Sequence, residues 1–120
     1  MSYYSLADTF FGNTMTKLAT KKTRAQYTIA VLGGGSFGTA LSDISAANRH
    51  HVRLWVRSAE QANAINVDHV NHRYLPELLI HSSVSATTSL KVATEGADIV
   101  FIAIPSPFFR DVVRKAAPML

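Results

Sequence analysis

The stretch from Tyr27 to Leu41, Tyr-Thr-Ile-Ala-Val-Leu-Gly-Gly-Gly-Ser-Phe-Gly-Thr-Ala-Leu, constrains this chain more than any other. Thr28 to Leu32 is a short β-branched and apolar run, the composition of a strand buried in a parallel sheet. It stops at Gly33. Beyond it the apolar positions Phe37, Ala40, Leu41, Ile44 and Ala47 fall three or four apart, which predicts a helix. Between strand and helix lie Gly33, Gly35 and Gly38, spaced G-x-G-x-x-G. Each glycine has a mechanical task in such a turn. Gly33 permits the tight reversal, Gly35 lets the backbone touch a pyrophosphate, and Gly38 lets helix and strand pack closely. The helix start then offers unpaired N–H groups and the positive end of its dipole to an anion. A strand precedes the turn, and a helix and second strand follow it. That context points to dinucleotide binding rather than to a merely structural turn.

Downstream, Val52, Leu54 and Val56 alternate with Arg53 and Trp55, the pattern of a second strand. Arg57 closes it, about twenty residues past the glycine turn, where an NAD-specific fold carries an acid for the ribose 2′-hydroxyl. No Asp or Glu stands there. Arg57 can instead pair with a 2′-phosphate or lay its guanidinium along an adenine; the bland alternative is an exposed strand-end arginine. His50-His51 lacks a third ligand at metal spacing and reads as a solvated turn. Ser58 with Gln61 has the form of a capping box opening a second helix, whose apolar face is Ala62 and Ile65. Asn66 to Pro76 reads as a polar loop that Pro76 keeps from being helical. Val84 to Thr87 predicts a short third strand, and Leu90 to Glu95 a brief helix ended by Gly96. Asp98 to Ile104 is continuously apolar after its first residue and predicts a fourth strand. Pro105-Ser106-Pro107 breaks it, and Phe109, Val112, Val113 and Ala116 mark a last helix over 108–117.

Four strand–helix alternations joined by right-handed crossovers predict an α/β fold: a doubly wound, Rossmann-like parallel sheet of about four strands, ordered 3-2-1-4. The cleft then opens at the carboxyl ends of strands one and four, where Gly33–Gly38 faces Pro105–Phe108. Length fits one domain, and no apolar run reaches membrane-spanning length, so no membrane role is expected. The absence of cysteine excludes disulfides and thiolate metal sites. Of the net charge of +4, residues 1–27 supply +3 through Lys17, Lys21, Lys22 and Arg24 against Asp8. The remaining residues carry eight basic and seven acidic side chains, which gives a nucleic-acid partner little support. Residues 1–27 are expected to form a poorly ordered extension, with a transit peptide as the alternative, and residues 28–120 the binding domain.

Taken together, these motifs resemble the NAD(P)-dependent glycerol-3-phosphate dehydrogenases. Gly33-Gly34-Gly35-Ser36-Phe37-Gly38-Thr39-Ala40-Leu41 is similar to their opening motif, usually Gly-Ala-Gly-Ser-aromatic-Gly-Thr-Ala-Leu. Val52–Arg57, Asn71-His72-Arg73-Tyr74-Leu75-Pro76, and Ala97–Val100 through Ile104-Pro105-Ser106 resemble three further family stretches in order and distance. The resemblance implies NADPH or NADH as cofactor. It implies cofactor contacts at Gly33, Gly35, Ser36, Phe37 and Gly38, with Arg57 at the adenosine 2′ position. Pro105 and Phe108 are implied on the nicotinamide side. Gly34, where the family prefers Ala, is expected to loosen the loop. The family's substrate lysines and its glycerol 3-phosphate pocket lie beyond the residues matched. No catalytic residue is therefore assigned within 28–120, and no metal ligand. The chain reads as the cofactor-binding part of a cytoplasmic enzyme. A non-catalytic dinucleotide-binding module and another dehydrogenase on the same fold are the alternatives. With strand four at a sheet edge, self-association into a homo-oligomer is expected.

Overall fold

The computed structural model describes residues 25–120. The extension assigned to residues 1–27 lies outside them, apart from its last three residues. Four strands and four helices alternate: β1 (Thr28–Leu32), α1 (Ser36–Ala47), β2 (His51–Trp55), α2 (Ala59–Asp68), β3 (Ser85–Thr87), α3 (Leu90–Thr94), β4 (Ile99–Ile102) and α4 (Ser106–Ala116). A 3-10 turn, Ala117–Met119, follows. All strand pairs are parallel and the order is β3-β2-β1-β4, the order expected of the doubly wound dinucleotide-binding fold. Tyr27 leads into β1 rather than belonging to the extension. Its carbonyl accepts from the His51 N–H at 2.8 Å, and its N–H donates to His50 Nδ1 at 3.1 Å.

Side-chain alternation along the strands builds two cores. Ile29 and Val31 of β1 join Val52 and Leu54 of β2 on one face, together with Val56, Ala46 from α1, and Ala62 and Ile65 from α2. The opposite face gathers Ala30 and Leu32 with Ala93 from α3 and with Val112 and Ala116 from α4. Helices thus cover both faces, the doubly wound arrangement. Strand β1, central and covered twice, is almost wholly buried. Strand β4 occupies a sheet edge, and all four of its residues are only half-buried.

Four sequence expectations shift. Helix α2 runs on to Asp68, so the polar loop begins at His69 and not at Asn66. Strand β2 ends at Trp55, so Arg57 lies in the turn before α2. Strand β4 is shorter than 98–104, because the chain beyond Ile102 bends toward the glycine turn, where the Ala103 carbonyl sits against Gly33. Helix α1 does not bury Phe37 or Ala47. Its buried face is Gly38, Thr39, Leu41, Ser42, Ile44, Ser45 and Ala46, a largely small-residue surface that lets the helix approach the sheet closely.

Candidate functional site

The turn between β1 and α1 is shaped by what each glycine excludes. Gly33 has φ +130°, a backbone region that side chains rarely adopt, and a Cβ there would lie 2.1 Å from the Ala103 carbonyl oxygen. A Cβ on Gly38 would lie 1.9 Å from the Gly33 carbonyl oxygen. Both positions are closed by backbone. Gly35 is the opposite case: a Cβ there would meet nothing within 4 Å. The turn is therefore packed tight at both ends and open in the middle, the shape needed for a ligand to approach backbone. At Gly34 a Cβ would come within 2.5 Å of Val56 Cγ1 and 2.8 Å of Gln61 Nε2, so an alanine here needs those two side chains to shift.

The four helices all start at the carboxyl edge of the sheet, and their starts differ in how they are capped. Ser58 caps α2, accepting from the Gln61 N–H, and Ser89 caps α3, accepting from the Val92 N–H. Helices α1 and α4 start at Gly35 and Pro105 with no side-chain cap and no acid in the first turn. Both follow the carboxyl ends of neighbouring strands, β1 and β4. Two dipole-positive helix starts are thus left without an internal anion.

Arg57, after β2, and Phe108, in the first turn of α4, meet across the end of β1, which lies between those strands. The guanidinium carbon stands 4.3 Å from the ring centroid, a cation–π contact between two exposed side chains. Phe37 is 62% exposed at the start of α1, so it packs into neither core. The Ser36 hydroxyl donates to the Tyr74 carbonyl at 2.9 Å. Its proton is therefore committed, and what Ser36 offers a ligand is its backbone N–H.

Two residues that sequence reasoning left without a site role belong here. Asn71 is 1% exposed, and its amide donates to the Gly34 carbonyl and to Thr39 Oγ1, both at 2.8 Å. Gln61 donates to the same Gly34 carbonyl at 2.6 Å. Half of the capping box is thus realised differently: Ser58 caps, but the Gln61 side chain reaches the glycine turn instead of the helix start. The signal for Asn71 lay in the Asn-x-x-Tyr-Leu-Pro resemblance, to which no contact had been attached. Among the described residues there is no group of three His, Cys, Asp or Glu able to hold a metal, and no helix long and apolar enough to cross a membrane.

A parallel sheet in this order, with an open glycine turn at the start of its first helix, defines a dinucleotide-binding domain of Rossmann type. Residues 28–120 match the family model described as NAD-dependent glycerol-3-phosphate dehydrogenase N-terminus, and the chain belongs to that family. It is 52% identical over 94 residues to a glycerol-3-phosphate dehydrogenase (NAD(P)+) of Alcanivorax borkumensis, covering 78% of this chain and 27% of the relative. A homologue from Halorhodospira halophila is 48% identical over 91 residues, 76% of this chain and 27% of its own length. Among solved structures, glycerol-3-phosphate dehydrogenase from Coxiella burnetii superposes with a TM-score of 0.74 at 34% identity, covering 79% of this chain and 29% of that one. The chain thus spans about a quarter of the length of the curated relatives it matches.

Proposed function

We propose that this chain is the cofactor-binding part of an enzyme that interconverts glycerol 3-phosphate and dihydroxyacetone phosphate. The carrying observation is the glycine turn: closed by backbone at Gly33 and Gly38, open at Gly35, and leading into an uncapped helix. A pyrophosphate seated there accepts from the N–H groups of the first turn of α1, those of Ser36 and Phe37 among them. Ser36 and Phe37 then border the pyrophosphate and nicotinamide side. Pro105 and Phe108, at the start of α4, flank the nicotinamide. Bound NADPH or NADH supplies the hydride acceptor or donor, while the residues of this chain bind and orient it. Substrate binding and proton transfer belong to the parts of the longer relatives that these residues do not span.

Arg57 governs the adenosine end. With Arg57 standing where an NAD-specific fold carries an acid, its guanidinium can form a charge-assisted pair with a 2′-phosphate, favouring NADPH. Its guanidinium lies 4.3 Å from the Phe108 ring centroid, so it can stack on a planar ring, and it must leave Phe108, at the nicotinamide end, to serve the adenosine end. Calorimetry with both cofactors on wild type and Arg57→Ala separates the two roles. NADPH binding alone should weaken, by roughly tenfold or more for loss of one charge-assisted pair. Equal weakening of both cofactors assigns Arg57 to adenine stacking. Binding of neither cofactor to the wild type overturns the reading.

A further inference from the structure

The peptide joining Gly34 to Gly35 is held from one side only. Its carbonyl accepts two amide hydrogen bonds, from Gln61 Nε2 at 2.6 Å and Asn71 Nδ2 at 2.8 Å. The donors come from different elements: Gln61 from the first turn of α2, Asn71 from the segment after it. The Asn71 amide has one orientation open to it. Its second N–H goes to Thr39 Oγ1 at 2.8 Å, so turning the amide over would set its oxygen against the Gly34 carbonyl. Thr39 is itself fully buried in α1, which ties the clamp to the helix that the turn feeds. The same segment is tied again by Ser36 Oγ, donating to the Tyr74 carbonyl at 2.9 Å.

A trans peptide points its C=O and its N–H in opposite directions. With the Gly34 carbonyl held by two donors, the Gly35 N–H points the opposite way, away from Gln61 and Asn71. Glycine-rich turns are otherwise free to rotate such a peptide, because neither flanking residue has a Cβ to oppose it. Left unclamped, the peptide could equally present its carbonyl to a phosphate, which would repel it.

We infer that Gln61 and Asn71 are positioning residues: they clamp the Gly34 carbonyl and so aim the Gly35 N–H at the dinucleotide pyrophosphate. This rests on the cofactor-binding reading above. Both act on the carbonyl side of the peptide, opposite the N–H offered to the pyrophosphate. Their effect passes through one peptide plane, which makes it separable from general stability.

The test uses the 120-residue chain and three proteins: wild type, Gln61→Met, and Ile65→Val. Gln61→Met removes one donor while keeping a long helix-compatible side chain at a half-buried site. Ile65→Val loosens the core next to it without touching the clamp. The carbonyl-carbon resonance of Gly34 reports its hydrogen bonding directly in the free protein, and calorimetry with NADPH reports binding. Gln61→Met should move the Gly34 carbonyl resonance upfield and weaken NADPH roughly tenfold, the scale of one lost hydrogen bond. Ile65→Val should lower the melting temperature and leave both readings unchanged. If both variants weaken NADPH alike, the role is structural and the inference fails. An NADPH affinity for Gln61→Met within about twofold of wild type also overturns it, whatever the carbonyl resonance does. Asn71→Asp removes the other donor and should weaken NADPH further, provided its amide spectrum shows the fold intact. A wild type that binds neither NADPH nor NADH, with the Gly34 resonance still showing two donors, instead brings down the cofactor-binding reading on which the inference rests.

Discussion

One added methyl group separates the two things a glycine turn does. At Gly35, φ −79° and ψ −168° suit alanine, and the space is open. Gly35→Ala should therefore keep or raise stability, by about 0.4–1 kcal/mol, while its methyl stands where the pyrophosphate must approach. Calorimetry and thermal melts on that one variant should show binding lost and the fold retained. Gly38→Ala should do the reverse. Its methyl would lie 1.9 Å from a backbone oxygen, so the variant should lose stability by about 1–3 kcal/mol, read by denaturant titration. His50 sets a pH dependence. Partial burial holds its pKa below the usual 6.5, and Nδ1 must stay unprotonated to accept from the Tyr27 N–H. The unfolded chain therefore binds that proton more readily than the folded one. Stability from this group is full above about pH 6.5 and falls as pH drops below it. His50→Gln, which keeps an acceptor that does not titrate, should flatten that part of the stability–pH curve.

Among the elements, the difference between capped and uncapped helices divides structure from function. Ser58→Ala and Ser89→Ala should each cost about 1 kcal/mol of stability, as lost N-caps do. Ser58→Ala should also weaken cofactor binding, since it loosens the helix turn that carries Gln61. Ser89→Ala should leave binding alone, because α3 carries none of the residues assigned to the site. The elements themselves were legible in the sequence because β1 and β4 are short apolar runs, β2 alternates, and glycine, proline or a cap follows each strand. What was not legible is where polar side chains spend their hydrogen bonds. Gln61 satisfies a capping-box spacing, yet the turn across from it offers a better-placed carbonyl. Asn71 sits in a run of polar residues whose spacing carries no period, so its burial follows only from tertiary contact. Phe37 fits a helical apolar stripe by spacing, but of that stripe Leu41 and Ile44 pack, joined by Thr39, Ser42 and Ser45, while Phe37 stays exposed.

For the whole molecule, the strand order followed from the glycine turn and the strand–helix alternation, which together select the doubly wound dinucleotide-binding fold. The edge has a consequence of its own. Helix α4 buries Val112 and Ala116 against one face of the sheet, and β4 stays half-buried at the edge, carrying Val100, Phe101 and Ile102. Apolar edges without lysine or internal proline recruit further strands. The 120-residue chain alone should therefore self-associate at roughly tens of micromolar, the range where exposed edges associate. Light scattering that gives a monomer there contradicts this. The central claim, that the turn between β1 and α1 holds a dinucleotide pyrophosphate, is tested most directly by titrating the labelled chain with NADPH and following its backbone amides. The amides of Gly35, Ser36 and Phe37 should move most, with Arg57 and Phe108 following. Glu95 and Gly96, at the opposite ends of the strands, should stay still. Amides of residues 33–38 that remain unmoved at about 1 mM NADPH, a binding free energy weaker than roughly −4 kcal/mol, or movement confined to residues elsewhere, would contradict it.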